Sequence, residues 1–81
     1  MRVRLLLFAV LRDITGKSEA DLDLPDGTRA RDVWQTLRDA HGELADYELP
    51  PLTAINESYA PADSVLNDGD ELAFIPPVAG G

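Results

Sequence analysis

The sequence contains no cysteine. That absence excludes disulfides, thiolate metal sites and a cysteine nucleophile together. Histidine occurs once, at His41, so a histidine-cluster metal site is excluded too, and no metal ligand set is expected. Positive charge is scarce: seven Lys and Arg stand against fifteen Asp and Glu, a net charge of −8, and Lys17 is the sole lysine. A nucleic-acid surface must displace phosphate counterions with basic side chains. Nucleic acid and anionic membrane are therefore not expected partners, whereas a protein with a basic face is favoured through its encounter rate. Long hydrophobic runs are missing as well. The longest, 5–11, falls far short of the roughly 18 residues of a membrane span. No signal-peptide pattern follows Met1, and a cytoplasmic location is the expectation. At 81 residues the chain is one small domain that buries only ~60% of its unfolded surface. That leaves no room for a resident cofactor between two layers.

What is present is a regular series of short elements. From Arg2 to Phe8 the sequence alternates, with Val3, Leu5 and Leu7 on one face and Arg2, Arg4, Leu6 and Phe8 on the other, which predicts a strand. The second face turns apolar towards its end. Ala9 to Thr15 predicts a short helix stopped by Gly16. Glu19 to Leu24 predicts a strand with an apolar face (Ala20, Leu22, Leu24) and an acidic one, followed by a turn at Pro25-Asp26-Gly27. Ala30, Val33, Trp34, Leu37, Ala40 and Leu44 recur at three- and four-residue spacing, the stripe of an amphipathic helix over roughly 30–41. Thr28 is its expected N-cap and Gly42 its expected stop. Leu52 to Ile55 predicts a short strand, Asn56-Glu57-Ser58 a turn with Tyr59 after it, and Asn67-Asp68-Gly69-Asp70 a second strong turn. Glu71 to Ile75 predicts the last strand, with Leu72 and Phe74 on one face and Glu71, Ala73 and Ile75 on the other. Pro76-Pro77 ends it, because proline donates nothing to a sheet ladder. The fold class expected is α+β: a mixed five-stranded sheet on one main helix, with a domain over 1–75 and a flexible tail over 76–81.

Side-chain catalysis finds little support. His41 falls at the last turn of the main helix, where a cation suits the helix dipole. No serine has a base at a telling spacing, and the acidic turn at 68–71 lacks the ligand ladder of a calcium loop. The chain is not expected to be an enzyme on its own. The tail carries the remaining chemistry. Six residues follow Ile75, enough for about 20 Å of extended chain. Gly80 and Gly81 lack a Cβ and fit a tunnel too narrow for other residues. The reactive group there is the Gly81 carboxylate, which adenylation by ATP turns into an acyl donor. If the first and last strands are neighbours, Leu6 and Phe8 on the first and Ile75 on the last converge in an apolar patch at the tail's root, with Tyr59 a candidate to join them.

The opening 3–9 followed by Leu11-Arg12-Asp13, and above all the closing 66–81 with its acidic turn, strand, Pro-Pro and Gly-Gly in register, resemble the small subunit of molybdopterin synthase, of the ubiquitin-like β-grasp family. The resemblance runs end to end. It implies a sulfur carrier whose Gly81 carboxylate is activated by a partner adenylating enzyme with ATP and magnesium. Sulfur then converts it to a thiocarboxylate. The tail next enters the large synthase subunit, which transfers the sulfur to cyclic pyranopterin monophosphate in molybdenum cofactor biosynthesis. A heterotetramer of two small and two large subunits is implied. Phe8, Arg12, Tyr59 and Ile75, with Pro76, Pro77, Val78 and Ala79 of the tail, are implied to face the partners. Three other readings stay open: a sulfur carrier for thiamine, tRNA thiolation or cysteine synthesis, a protein modifier joined through Gly81, and a non-covalent interaction module.

Overall fold

The structure, a computed structural model, describes residues 1–46 and 51–76. The chain begins with β1 (Arg2–Leu7), α1 (Ala9–Thr15), β2 (Glu19–Asp23) and α2 (Ala30–Ala40), and a 3-10 helix follows at Gly42–Asp46. β3 (Leu52–Ile55), β4 (Ser58–Tyr59) and β5 (Glu71–Ile75) complete it. The five strands form one sheet in the order β2-β1-β5-β3-β4. β1 runs parallel to β5 at its centre, and every other pairing is antiparallel. This is the mixed sheet with one main helix expected of a β-grasp domain.

Alternation in the strands decides which side of the sheet is covered. Val3, Leu5 and Leu7 of β1 and Leu72 and Phe74 of β5 are buried, and with Leu11, Ala30, Val33, Leu44 and Leu66 they form the core. The Trp34 ring meets Phe74 edge-on, with centroids 5.3 Å apart, an arrangement favoured by the ring quadrupoles. The predicted two-faced character of β1 and β2 holds, and Gly16 caps α1 at φ 75°, its N–H donating to the Arg12 carbonyl at 2.8 Å. The chain start is tied down by the Met1 ammonium, which donates to the Leu24 carbonyl at 2.8 Å.

The ends of α2 differ from the sequence expectation. The N-cap is Arg29, not Thr28. Thr28 instead donates its hydroxyl to the Pro25 carbonyl at 2.7 Å. Asp32 Oδ2 accepts the Arg29 backbone N–H at 2.9 Å, and the first helical amides, of Ala30 and Arg31, donate to the Ser64 and Ala62 carbonyls at 3.0 and 2.8 Å. Backbone acceptors thus replace the side-chain cap that arginine, which has no acceptor, cannot supply. At the other end the helix stops at Ala40. Gly42 does not cap it but opens the 3-10 helix. That tighter turn swings Leu44 into the core, fully buried, while Ala40 is exposed. The spacing had placed both on one helical stripe; the change of pitch separates them.

The β3–β4 connection has two residues, Asn56 and Glu57, between the paired Ile55 and Ser58. Both have positive φ, 52° and 70°, the two-residue hairpin turn that normally selects Asn-Gly. Asn56 meets that demand and is clamped. Its side-chain oxygen accepts the Glu71 N–H at 3.0 Å, its amide nitrogen donates to Asp70 Oδ1 at 2.9 Å, and its own N–H donates to the Glu71 carbonyl at 2.9 Å. Glu57 sits in the second position against its steric preference, at a cost of about 1 kcal/mol.

Two stability outcomes follow from the packing. Leu72→Ala removes a fully buried side chain between the two central strands and is expected to cost about 2–5 kcal/mol in a denaturant titration. Glu57→Gly is expected to raise the melting temperature by a few degrees. Release of the positive-φ strain outweighs the extra entropy glycine adds to the unfolded chain.

Candidate functional site

The face of the sheet turned away from α2 is uncovered among the described residues, and its two ends differ. At the end where β1 begins it is ionic. Arg2 Nε lies 3.3 Å from Asp23 and Arg4 Nε 3.6 Å from Asp21, all largely exposed, pairs that contribute little stability. Towards the end where β5 leaves the sheet the same face is apolar. The registers align Leu6 with Ala73, Ala73 with Ala54, and Ala54 with Tyr59. One row therefore crosses four strands, spanning roughly 14 Å at the usual strand spacing. It reads large, small, small, large.

That sequence of sizes makes a hollow. Ala73 and Ala54 form its floor, Leu6 and Tyr59 its side walls. Phe8 and Ile75 line it at the tail end, and Glu57 and Glu71 at the other. Its volume is about 340 Å³. Tyr59 is 76% exposed and Phe8 44%, and Leu52, 48% exposed, pairs with Ile75 beside the hollow. A group of exposed large apolar side chains like this on a small domain marks an interaction surface or a ligand groove.

The placement of the sequence-derived candidates is uneven. Phe8, Tyr59 and Ile75 come together around the hollow, as their convergence at the tail's root required. The parallel pairing of β1 with β5 is the reason: it ends both strands at the same edge of the sheet. Arg12 lies on the exposed side of α1 and does not line the hollow. Pro76 follows β5, half-buried. Pro77, Val78, Ala79, Gly80 and Gly81 lie outside the described residues, as does most of the tail assigned to 76–81. Sequence reasoning missed Ala54 and Ala73, whose importance is their smallness, and Glu57 and Glu71. Only the strand registers show that two alanines lie side by side. His41 caps the end of α2, its N–H donating to the Leu37 carbonyl at 2.8 Å, and no catalytic partner meets it among the hydrogen bonds of the described residues. No group of metal-ligating side chains occurs among the described residues, and no described helix is long and apolar enough to cross a membrane.

Residues 5–81 match the ThiS family. The chain belongs to that family. Among its relatives is the molybdopterin synthase sulfur carrier subunit of Chlamydomonas reinhardtii, 36% identical over 83 aligned positions that span the whole of both chains. Solved structures agree on the ubiquitin-like fold. A Pyrococcus furiosus protein described as a candidate molybdopterin converting factor, subunit 1, superposes with a TM-score of 0.82 at 28% identity, covering 95% of this chain and 98% of that one. SAMP1 of Haloferax volcanii, a small archaeal modifier protein, superposes with a TM-score of 0.81 at 27% identity over all of both chains.

The hollow yields a direct structural test. Ala73→Leu projects its added atoms into open space rather than into the core. It is expected to fold with a melting temperature near that of the parent chain and to fill the floor between Leu6 and Tyr59. Circular dichroism melts check the first point, and a crystal structure of the variant the second.

Proposed function

We propose that this chain is the sulfur-carrier small subunit of a molybdopterin synthase and that its chemistry takes place at the Gly81 carboxylate. The observation that carries this reading is the hollow at the root of the tail, on a ThiS-family chain whose sequence relative is named for that role over its whole length. Among the described residues no side chain is placed as an activated nucleophile, and in this reading the body serves as a grip for partners while the reacting atom is delivered on the tail.

In this reading an adenylating partner binds ATP and magnesium, and the Gly81 carboxylate oxygen attacks the α-phosphate and expels pyrophosphate. The acyl-adenylate is a good electrophile, and a sulfur nucleophile displaces AMP to leave a thiocarboxylate. The tail then enters a large synthase subunit. There the sulfur bonds to cyclic pyranopterin monophosphate, and water cleaves the acyl carbon–sulfur bond and regenerates the carboxylate at the end of each transfer. The residues of this chain contribute recognition and reach. Phe8, Tyr59 and Ile75 are covered by the partner, Arg12 is offered from α1, and Pro76 and Pro77 stiffen the start of the tail. Val78 and Ala79 carry it forward, and Gly80 and Gly81 pass a narrow channel. The absence of cysteine leaves no internal thiol to intercept the activated terminus.

A second reading is favoured by the likeness to a small archaeal modifier protein: the activated Gly81 forms an amide with a lysine of a target protein. The two share the activation step and separate afterwards.

Mass spectrometry of the intact chain, after incubation with an adenylating partner, ATP and a sulfur donor, is expected to show one oxygen-for-sulfur exchange localised to Gly81. Deleting Gly80 and Gly81 is expected to abolish dithiolene formation in a reconstituted synthase while leaving the thermal melt unchanged. Thiolation without dithiolene product, together with conjugates resistant to boiling and thiols, moves the assignment to the modifier.

A further inference from the structure

Three non-glycine residues have positive φ among the described residues: Ala9 at 52°, Asn56 at 52° and Glu57 at 70°. Of these, Glu57 alone lines the hollow, and Ala9 and Asn56 are chain neighbours of lining residues: Ala9 follows Phe8 directly, and Asn56 precedes Glu57. Backbone strain gathers where a structure is held for a task rather than for stability. At Glu57 the cost has a plain alternative, since glycine fills this position of a two-residue hairpin without strain. The turn is also clamped from outside by the three bonds of Asn56 to Asp70 and Glu71, so the backbone from which the Glu57 side chain projects is fixed at the rim.

Nothing in the described residues neutralises it. The ion pairs there are Arg2 with Asp23, Arg4 with Asp21 and Arg31 with Asp63. The cations nearest in register, Arg2 and Arg4, are turned to β2, and no basic side chain lines the hollow. Glu71 adds a second carboxylate on the same side, and the chain as a whole carries −8. An apolar floor bounded on one side by acids suits a partner that inserts an apolar side chain with a lysine or arginine beside it.

We propose that Glu57 is a specificity-determining residue of the docking surface: its clamped turn presents a carboxylate at the rim of the hollow to engage a basic side chain of the large synthase subunit. This rests on the reading of the hollow as the partner site, and it adds the charge that selects the partner. A rim carboxylate of this kind acts mainly on association, because it steers encounter and is screened by salt.

The experiment measures binding of the cognate large synthase subunit to the full chain by surface plasmon resonance, at low salt and at 1 M salt, for the parent and for Glu57→Gln, Glu57→Lys and Phe8→Asp. Glutamine keeps the size and the strained backbone and removes only the charge. The expected result is slower association for Glu57→Gln, and on the order of tenfold slower for Glu57→Lys. Both differences should shrink at 1 M salt, and Phe8→Asp should abolish binding. If Phe8→Asp abolishes binding while both Glu57 variants associate like the parent at low salt, the role of Glu57 is overturned and the docking reading stands. If Phe8→Asp binds like the parent, the hollow is not the dock and the two readings fall together.

Discussion

The parallel pairing of β1 with β5 is the constraint on which the rest depends. The registers of Arg4 with Glu71 through Leu7 with Phe74 bring the first and last strands side by side in the middle of the sheet. One consequence is thermodynamic: both strands contribute fully buried residues, and Val3, Leu5, Leu72 and Phe74 form the layer on which α2 lies. The other is functional. Because the two strands are parallel they end at the same edge, so the turn into α1, carrying Phe8, stands beside the point where the chain leaves β5 for the tail. Phe8 and the point where the chain leaves the sheet are brought together by one set of backbone hydrogen bonds.

The open face divides the labour between its ends. Its ionic half is a ladder of exposed pairs that keeps a flat face soluble at little energetic cost. Its apolar half exists because strand alternation, which elsewhere places polar residues outward, is broken at Leu6, Phe8, Ala73 and Ile75. These departures concentrate at one place. Two alanines in register lower the floor, two large side chains raise the walls, and a clamped hairpin supplies the acidic rim. A chain with a small core thus presents a shaped and charged surface, which is what the proposed carrier, handed between proteins, requires.

Much of this was legible in the residues. The strand alternations, the stop at Gly16 and the turns at 25–27 and 67–70 follow from periodicity and turn chemistry alone, whereas the convergence of Phe8, Tyr59 and Ile75 also needed the first and last strands to be neighbours, which the β1–β5 pairing supplies. What was not legible had local physical causes. Thr28 looked like a cap by type, but its hydroxyl is taken by Pro25, and the Ser64 and Ala62 carbonyls accept the first helical amides. Leu44 and Ala40 shared a spacing until a change of helical pitch separated them. Ala54 and Ala73 have no signal of their own, since their role is set by their partners across the sheet. Glu57 reads as an ordinary turn residue until its φ of 70° is known. The chemistry assigned to the tail came from its composition and its family pattern, not from contacts.

The central claim is that the chain works through the carboxyl carbon of Gly81 while its body serves only to be held. The most direct measurement is product formation by a reconstituted synthase supplied with a version extended by uncleavable residues beyond Gly81. The account predicts that this version still competes with the parent chain for the large subunit, through an unaltered hollow, yet yields no dithiolene. Dithiolene formation at the parent rate by the extended chain, with the extension shown to be intact, contradicts it.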